Sequence, residues 1–221
     1  VHEVPLLRLE EAGRVVARDF AKYFVGSEIV IHTTKGLEPG TLKSTSTVLR
    51  EELPCARVGV ISGPNLAGEM AAGQPAAAIV ASRFSEVIDG GIALFSSPQF
   101  RVYGGHDITG VEWAGTLKNI LAIASGCLDG LGMGWNARAM LISRGLAEMV
   151  RFGTAMGAEK ETFLGLAGVG DLLATAFSPL SRNFRVGQGL ARSEKLDDIV
   201  AKVGTAEGVP TTRIVYDFAK L

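Results

Sequence analysis

Residues 111–128 read "VEWAGTLKNILAIASGCL", and the reading of that run decides the fold of everything after it. Its apolar residues recur at three- and four-residue spacing, the period of a helix. From Ala114 to Leu128 the only charged residue is Lys118. On a helix, Val111, Ala114, Gly115, Lys118 and Ala122 share one face. Small residues on that face let another backbone or a ligand come close. Lysine is rarely fully buried unless paired, so Lys118 has two readings. It snorkels, with a packed stem and its ammonium in water. Or it is desolvated, where a lowered proton affinity suits it to general acid–base work. Glu112, Thr116 and Asn119 add polar groups to the same wall.

Upstream the rhythm differs. "EIVIHTTKG", "ARVGVISGP", "AAAIVASR" and "FRVYGG" are short β-like runs that end in turn signals. Between them lie helix-like pieces: "LEEAGRVVARDFAKYF", "PGTLKSTSTVLREEL", "NLAGEMAAG" and "SEVIDGG". Strands alternating with helices predict βαβ units and a mostly parallel sheet. Ligands then sit outside the carboxyl ends of the strands, which places "TTKG" and "SGPNLAGE" at ligand-facing ends. Downstream of residue 108 the pattern is helical throughout, with Gly-rich links. The predicted class is therefore α/β followed by all-α. A Rossmann-like part would span residues 1–107 and a helical part residues 108–221.

Composition narrows the function. Net charge is −1 over 221 residues, which gives no basic footprint for nucleic acid. Glycine supplies 28 residues, well above the usual ~7%. The two cysteines, Cys55 and Cys127, form no C-x-x-C pair and predict reduced thiols in a cytosolic protein. His2, His32 and His106 lack any metal-ligand spacing, so no metal site is expected. No apolar run is long enough to cross a membrane. The start, "VHEVPLLRLEE", lacks the basic and apolar regions of a signal peptide. Without an initiator methionine, the chain reads as a fragment.

Other candidates follow from position. Lys35, at the end of a predicted strand, is a second cation for an anionic ligand or an ordinary surface lysine. In "SPLSRNFRVGQG", Ser181 reads as an N-cap, which puts Arg182 and Asn183 in the first turn. Free N–H groups, the helix dipole and an Arg fork favour a phosphate there; a capped surface helix is the plainer alternative. Asp171 in "GVGDLLAT" is a helix cap or a site carboxylate, the cap being the simpler reading. "GMGWNA" fits G-x-G-x-x-A but follows a helical segment, so it is read as a connector and not a dinucleotide loop.

Six blocks carry a resemblance: "TTKGLEPGT", "SGPNLAGE", "GVEWAGTLKNILAIASG", "DGLGMGWNARAMLISRGLAEM", "FLGLAGVGDL" and "SPLSRNFRVG". In order and spacing they resemble the bacterial-type NAD(P)-dependent glycerol-3-phosphate dehydrogenases, and "AEGVPTTRIVYDFAK" extends the likeness to the end. The resemblance implies reversible hydride transfer between NAD(P)H and dihydroxyacetone phosphate, in the bacterial cytoplasm, supplying the glycerol backbone of phospholipids. It implies that the chain starts partway through the cofactor domain, after the Gly-rich loop and the residues that choose NAD or NADP, and stops before the last helices. It assigns Lys118 as the catalytic lysine and Lys35 as the lysine near substrate and nicotinamide. Gly63, Asn65 (where the family usually has serine) and Asp171 become substrate-site positions. Ser181, Arg182 and Asn183 become the phosphate trio. Lys35, Ala67, Arg182 and Glu207 become cofactor contacts. A homodimer is implied as well. Two rivals remain: a related dehydrogenase of 3-hydroxy acids, and a truncated, non-catalytic chain that binds phosphorylated metabolites.

Overall fold

The structure, a computed structural model, describes residues 9–220, with side chains from residue 13 onward. The first eight residues, with the signal-peptide reading and His2, lie outside the described residues, as does Leu221.

Helix α1 (Leu9–Ala21) leads into strand β1 (Val30–His32), followed by α2 (Thr45–Glu52), β2 (Val58–Ser62), α3 (Ala67–Ala71), β3 (Ala76–Ser82), α4 (Ser85–Phe95) and β4 (Phe100–Gly105). The four strands form one sheet in the order β1-β2-β3-β4. Period-two alternation sorts their side chains onto two faces. Ile31, Ile61, Ala78, Val80 and Val102 pack with Ile92 and Phe95 of α4 on one face. Val60, Ala81 and Ile79 turn to the other face. Every residue of β2 is buried, as its continuous apolar run requires for a central strand.

The sheet is mostly parallel, as the sequence predicted, with one antiparallel pairing. β1 with β2 and β3 with β4 are parallel, but β2 and β3 are antiparallel. The reason lies in α3. It has five residues and no buried side chain, so it does not cross over the sheet face as a βαβ helix must. The chain turns at Gly73 (φ +74°) and returns beside β2. Helix α2 also begins later than "PGTLKSTSTVLREEL" suggested. Gly36, Gly40 and Leu42 take positive φ angles (111°, 79° and 58°), which no helix propagates. Residues 36–44 instead fold back on themselves, with Leu37 bridging Ser44.

After β4 the chain is helical: α5 (Ile108–Gly130), α6 (Trp135–Ala155), α7 (Lys160–Leu164), a π-helical turn (Leu166–Gly170), α8 (Asp171–Phe177), α9 (Arg182–Ala191), α10 (Leu196–Val203) and α11 (Gly208–Phe218). The run "GMGWNA" indeed joins two helices, α5 and α6. Asp107 starts α5: its carboxylate accepts the Gly110 N–H (2.8 Å), the Glu159 N–H (2.9 Å) and the Thr162 hydroxyl (2.6 Å). One side chain thus caps the helix and ties it to α7. α5 is buried on nearly every side. Ile108 and Val111 meet the sheet beside Val60 and Ala81. Trp113, Ala114 and Leu117 meet Ile142 and Met149 of α6, with Phe163 and Leu172. An all-round covered helix needs no polar face, which explains the sparse charge of its sequence.

α5 and α9 cross backbone to backbone. A Cβ on Gly126 would overlap the Phe184 carbonyl, and one on Gly187 would overlap the Ile123 carbonyl. We therefore expect Gly126→Ala or Gly187→Ala to lower stability in urea titrations by at least about 2 kcal/mol, because backbone cannot yield to overpacking. Gly134→Ala has no neighbour within 4 Å and should stay within about 0.5 kcal/mol.

Candidate active site

The site is built where β1 and β2 end against the middle of α5. Lys35 follows β1 by three residues, and Gly63 follows β2 directly. A Cβ on Gly115 would lie 3.5 Å from Lys35 Cγ and 3.4 Å from Ser62 Oγ. The Lys35 stem and the end of β2 thus pack close to α5 at Gly115, at distances that would still leave room for a Cβ.

Asp171 enters from the far side. The Gly170 N–H donates to the Gly165 carbonyl (3.2 Å), closing the wide turn of a π-helix, a distortion frequent at functional sites. The turn runs straight into α8, and Gly170 faces the Pro64 ring. Asp171 is not the N-cap of α8. Gly170 occupies that position, and the Asp171 carboxylate is 2% exposed and turned inward. It accepts the Lys35 ammonium on Oδ2 at 2.8 Å and the Lys118 ammonium on Oδ1. Lys118 also donates to Thr175 Oγ1 (2.7 Å), and that hydroxyl lies 3.3 Å from Asp171 Oδ1.

The two lysines are held in unequal states. Burial pushes the Lys118 amine down to about 7, and the Lys35 charge pushes the same way, against the pull of Asp171. Burial also acts against the Lys35 charge, but Asp171 more than offsets it and holds Lys35 above the usual lysine range, with Glu207 assisting. One carboxylate between two ammoniums leaves the surplus proton on Lys118 the easier to release. The snorkelling alternative fails, since Lys118 is 3% exposed.

The next residue, Asn119, carries the site to α9 and α11. Its Oδ1 accepts the Asn183 amide (2.9 Å), and its own amide donates to Glu207 Oε2 (3.2 Å). The Gly208 N–H donates to Asn183 Oδ1 (2.9 Å). A side chain on Gly208 would collide with Asn183 and with the Asn119 carbonyl, so only glycine lets α11 start this close. Ser181 caps α9 by accepting the Phe184 N–H (3.2 Å), as its position in the sequence predicted. Arg182 is exposed beside it.

Gly63 is buried, and a Cβ there would strike the Ala77 carbonyl (2.6 Å) and Ala78 Cα (2.8 Å). Assigned the amide orientation that its neighbours demand, Asn65 donates to the Ala77 and Pro64 carbonyls (3.1 Å each); among the described residues no hydrogen bond joins it to either lysine. Ala67 opens α3 and is exposed. The described residues hold no group of three or more His, Cys, Asp or Glu side chains suited to a metal, and no helix among them is long and apolar enough to cross a membrane.

With this geometry in hand, the comparisons with known proteins are specific. Residues 107–221 match the model of the NAD-dependent glycerol-3-phosphate dehydrogenase C-terminus, and residues 9–87 match that of the N-terminus. The chain belongs to this family. Curated relatives named glycerol-3-phosphate dehydrogenase [NAD(P)+] include one from a Nostoc strain, 51% identical over 193 residues (87% of this chain, 63% of the relative), and one from a Synechocystis strain, 45% identical over 209 residues (94% and 65%). The crystal structure of glycerol-3-phosphate dehydrogenase from Coxiella burnetii superposes with a TM-score of 0.90 at 39% identity, covering 96% of this chain and 65% of that one. The chain thus spans about 63% of the Nostoc relative's length.

Sequence reasoning missed Thr175. The available signal was its spacing: Asp171 and Thr175 are four apart, one turn along a helix face. Asn119 was noted as part of a polar wall but not as the link to α9.

A pH test follows from the lowered Lys118 amine. Unfolded, a lysine holds its proton to about pH 10.4; folded, Lys118 releases it near 7. Between those values unfolding takes up a proton, so stability rises with pH, and below 7 the contribution is flat. Lys35 is shifted upward and Glu112 downward, so neither titrates between pH 7 and 9. Urea midpoints measured from pH 6.5 to 9 should rise, and Lys118→Met should flatten the part of that rise due to this amine.

Proposed function

We propose that the protein carrying this chain interconverts dihydroxyacetone phosphate and sn-glycerol 3-phosphate, with NADH or NADPH as partner. The observation that carries this reading is the Asn119–Asn183 hydrogen bond (2.9 Å). It joins the residue after Lys118 to the first turn of α9, and in this reading one small phosphorylated molecule spans the two.

The residues have distinct work. Lys118, protonated, gives its Nζ proton to the ketone oxygen; as a neutral amine it takes a proton from the alcohol in reverse. An affinity near 7 suits both directions at neutral pH. Lys35 keeps its charge and stabilises negative charge developing on that oxygen. Asp171 holds both amines in place and offsets their repulsion, with Thr175 orienting Lys118. At α9, the free N–H groups of the first turn and the Arg182 fork receive the phosphate. The Oδ1 of Asn183 and one of its amide hydrogens are already engaged, so its share is its remaining amide hydrogen and its backbone N–H.

The chain's donors fit a nicotinamide cofactor. Lys35 is a cation past a strand's carboxyl end, Ala67 and Arg182 are exposed, and Glu207 accepts the Asn119 amide beside Lys118; these four residues would hold it. When bound, the cofactor supplies or accepts the hydride. The same proposal includes a cofactor part over residues 1–107 and a helical substrate part over 108–221, a homodimer, a cytoplasmic location and a role in phospholipid supply. The family assignment and the α9 phosphate cradle support it over an unphosphorylated 3-hydroxy acid.

The test is cofactor oxidation at 340 nm in the intact protein. Dihydroxyacetone phosphate should be reduced, with unphosphorylated keto acids much poorer. Lys118→Ala should cost at least about 100-fold in kcat with the fold retained by circular dichroism. Arg182→Ala should raise KM for the phosphorylated substrate. Near-normal turnover by Lys118→Ala would end the proposal, as would equal use of unphosphorylated substrates.

A further inference from the structure

One buried ionic cluster lies outside the site just described. Glu112, on α5, is enclosed between β1 and α2. Its carboxylate accepts the Ser46 N–H on Oε1 (2.8 Å) and the Ser46 hydroxyl on Oε2 (2.6 Å). His32 Nε2 lies 3.3 Å from Oε1, without the alignment of a hydrogen bond. Arg50, on α2, is close enough to feel the Glu112 charge. Burial works against the Glu112 charge, but His32 and the two Ser46 donors outweigh it and hold the carboxyl below its usual range.

The position of Ser46 gives the cluster its meaning. Ser46 stands in the first turn of α2, whose own Ser44 makes no side-chain cap. Glu112 therefore caps α2 from another element, a charge-assisted contact favoured by the helix dipole. One turn along α5, the Thr116 hydroxyl accepts the Gly36 N–H (3.2 Å) while donating to the Glu112 carbonyl (2.8 Å). α5 thus grips both ends of the segment between β1 and α2: Gly36 at one end, Ser46 at the other. Lys35 is the residue before Gly36.

We propose that Glu112 is a positioning residue: by fastening Ser46 it seats the Lys35 loop against α5 and so sets the spacing between the Lys35 and Lys118 amines. A buried carboxylate is a costly way to fill space that apolar side chains could fill. Here it fixes a register that apolar contacts would leave free to slide. Its bearing on catalysis rests on the functional reading above; the spacing itself does not.

The test reads the amines directly and needs no turnover. Lys118 is labelled with a small amine-reactive reagent across pH 6–10, and its peptide is quantified by mass spectrometry. The groups facing this amine are Lys35, Asp171 and Thr175. Lys35→Met, which removes the second cation outright, defines the full effect. Glu112→Gln and Ser46→Ala should each move the labelling midpoint upward in the same sense, by about half a pH unit, read as about twofold slower labelling at pH 7. Glu112→Asp, one methylene shorter, should not restore it. If Glu112→Gln and Ser46→Ala remain folded, lose stability in urea and leave the Lys118 midpoint unmoved, Glu112 is only a strut and the proposal is wrong. Ser46→Ala removes one hydroxyl, so it carries the test if Glu112→Gln does not fold. A Lys118 that labels normally while the intact protein lacks the proposed activity would defeat the functional reading and leave this one standing.

Discussion

The Asp171 carboxylate between two lysine amines is the contact on which this structure turns. Two ammoniums so close repel, and in a dry interior that repulsion is large. A single buried anion makes the arrangement tolerable without making it symmetric. Lys35, 23% accessible at its side chain, keeps its proton; Lys118, almost sealed, holds its proton loosely. The asymmetry arises from coupling: Asp171 outweighs burial at Lys35, whereas at Lys118 the Lys35 charge adds to burial. A π-helical turn on one side and a strand end on the other bring the three groups together, and neither element has the regular geometry that a stability argument alone would favour. Buried charge gathers here and around Glu112, while most of the helical part packs in an apolar core.

Much of this was legible in the sequence, for identifiable reasons. The switch from short β-branched runs to helical spacing near residue 108 is a periodicity signal, and periodicity follows from burial. The Ser181 cap was readable because capping is local chemistry. The lone lysine in an apolar run was a visible anomaly, since few folds seal an amine without a partner. What the sequence withheld was pairing over long separations. Nothing near Asp171 distinguishes a cap from a bridge to Lys35, 136 residues away. The antiparallel β2–β3 pairing hinged on α3 being too short and too exposed to cross the sheet, which "NLAGEMAAG" does not announce. The Glu112–Ser46 contact joins residues 66 apart and has no local signature.

The glycines share a common logic. Gly126, Gly187 and Gly208 each stand where another element presses on backbone. A composition rich in glycine suggested turns and ligand approach. In these three places it serves the approach of the protein to itself.

The crossing of α5 and α9 has a further consequence. With carbonyls seated where side chains would be, the two rods cannot slide or roll past one another without breaking main-chain contacts. The gap from the Lys118 nitrogen to the head of α9 is therefore a fixed yardstick. If the proposed function holds, a molecule gripped at both points would be sorted by its length in carbon atoms, with no moving part needed to measure it.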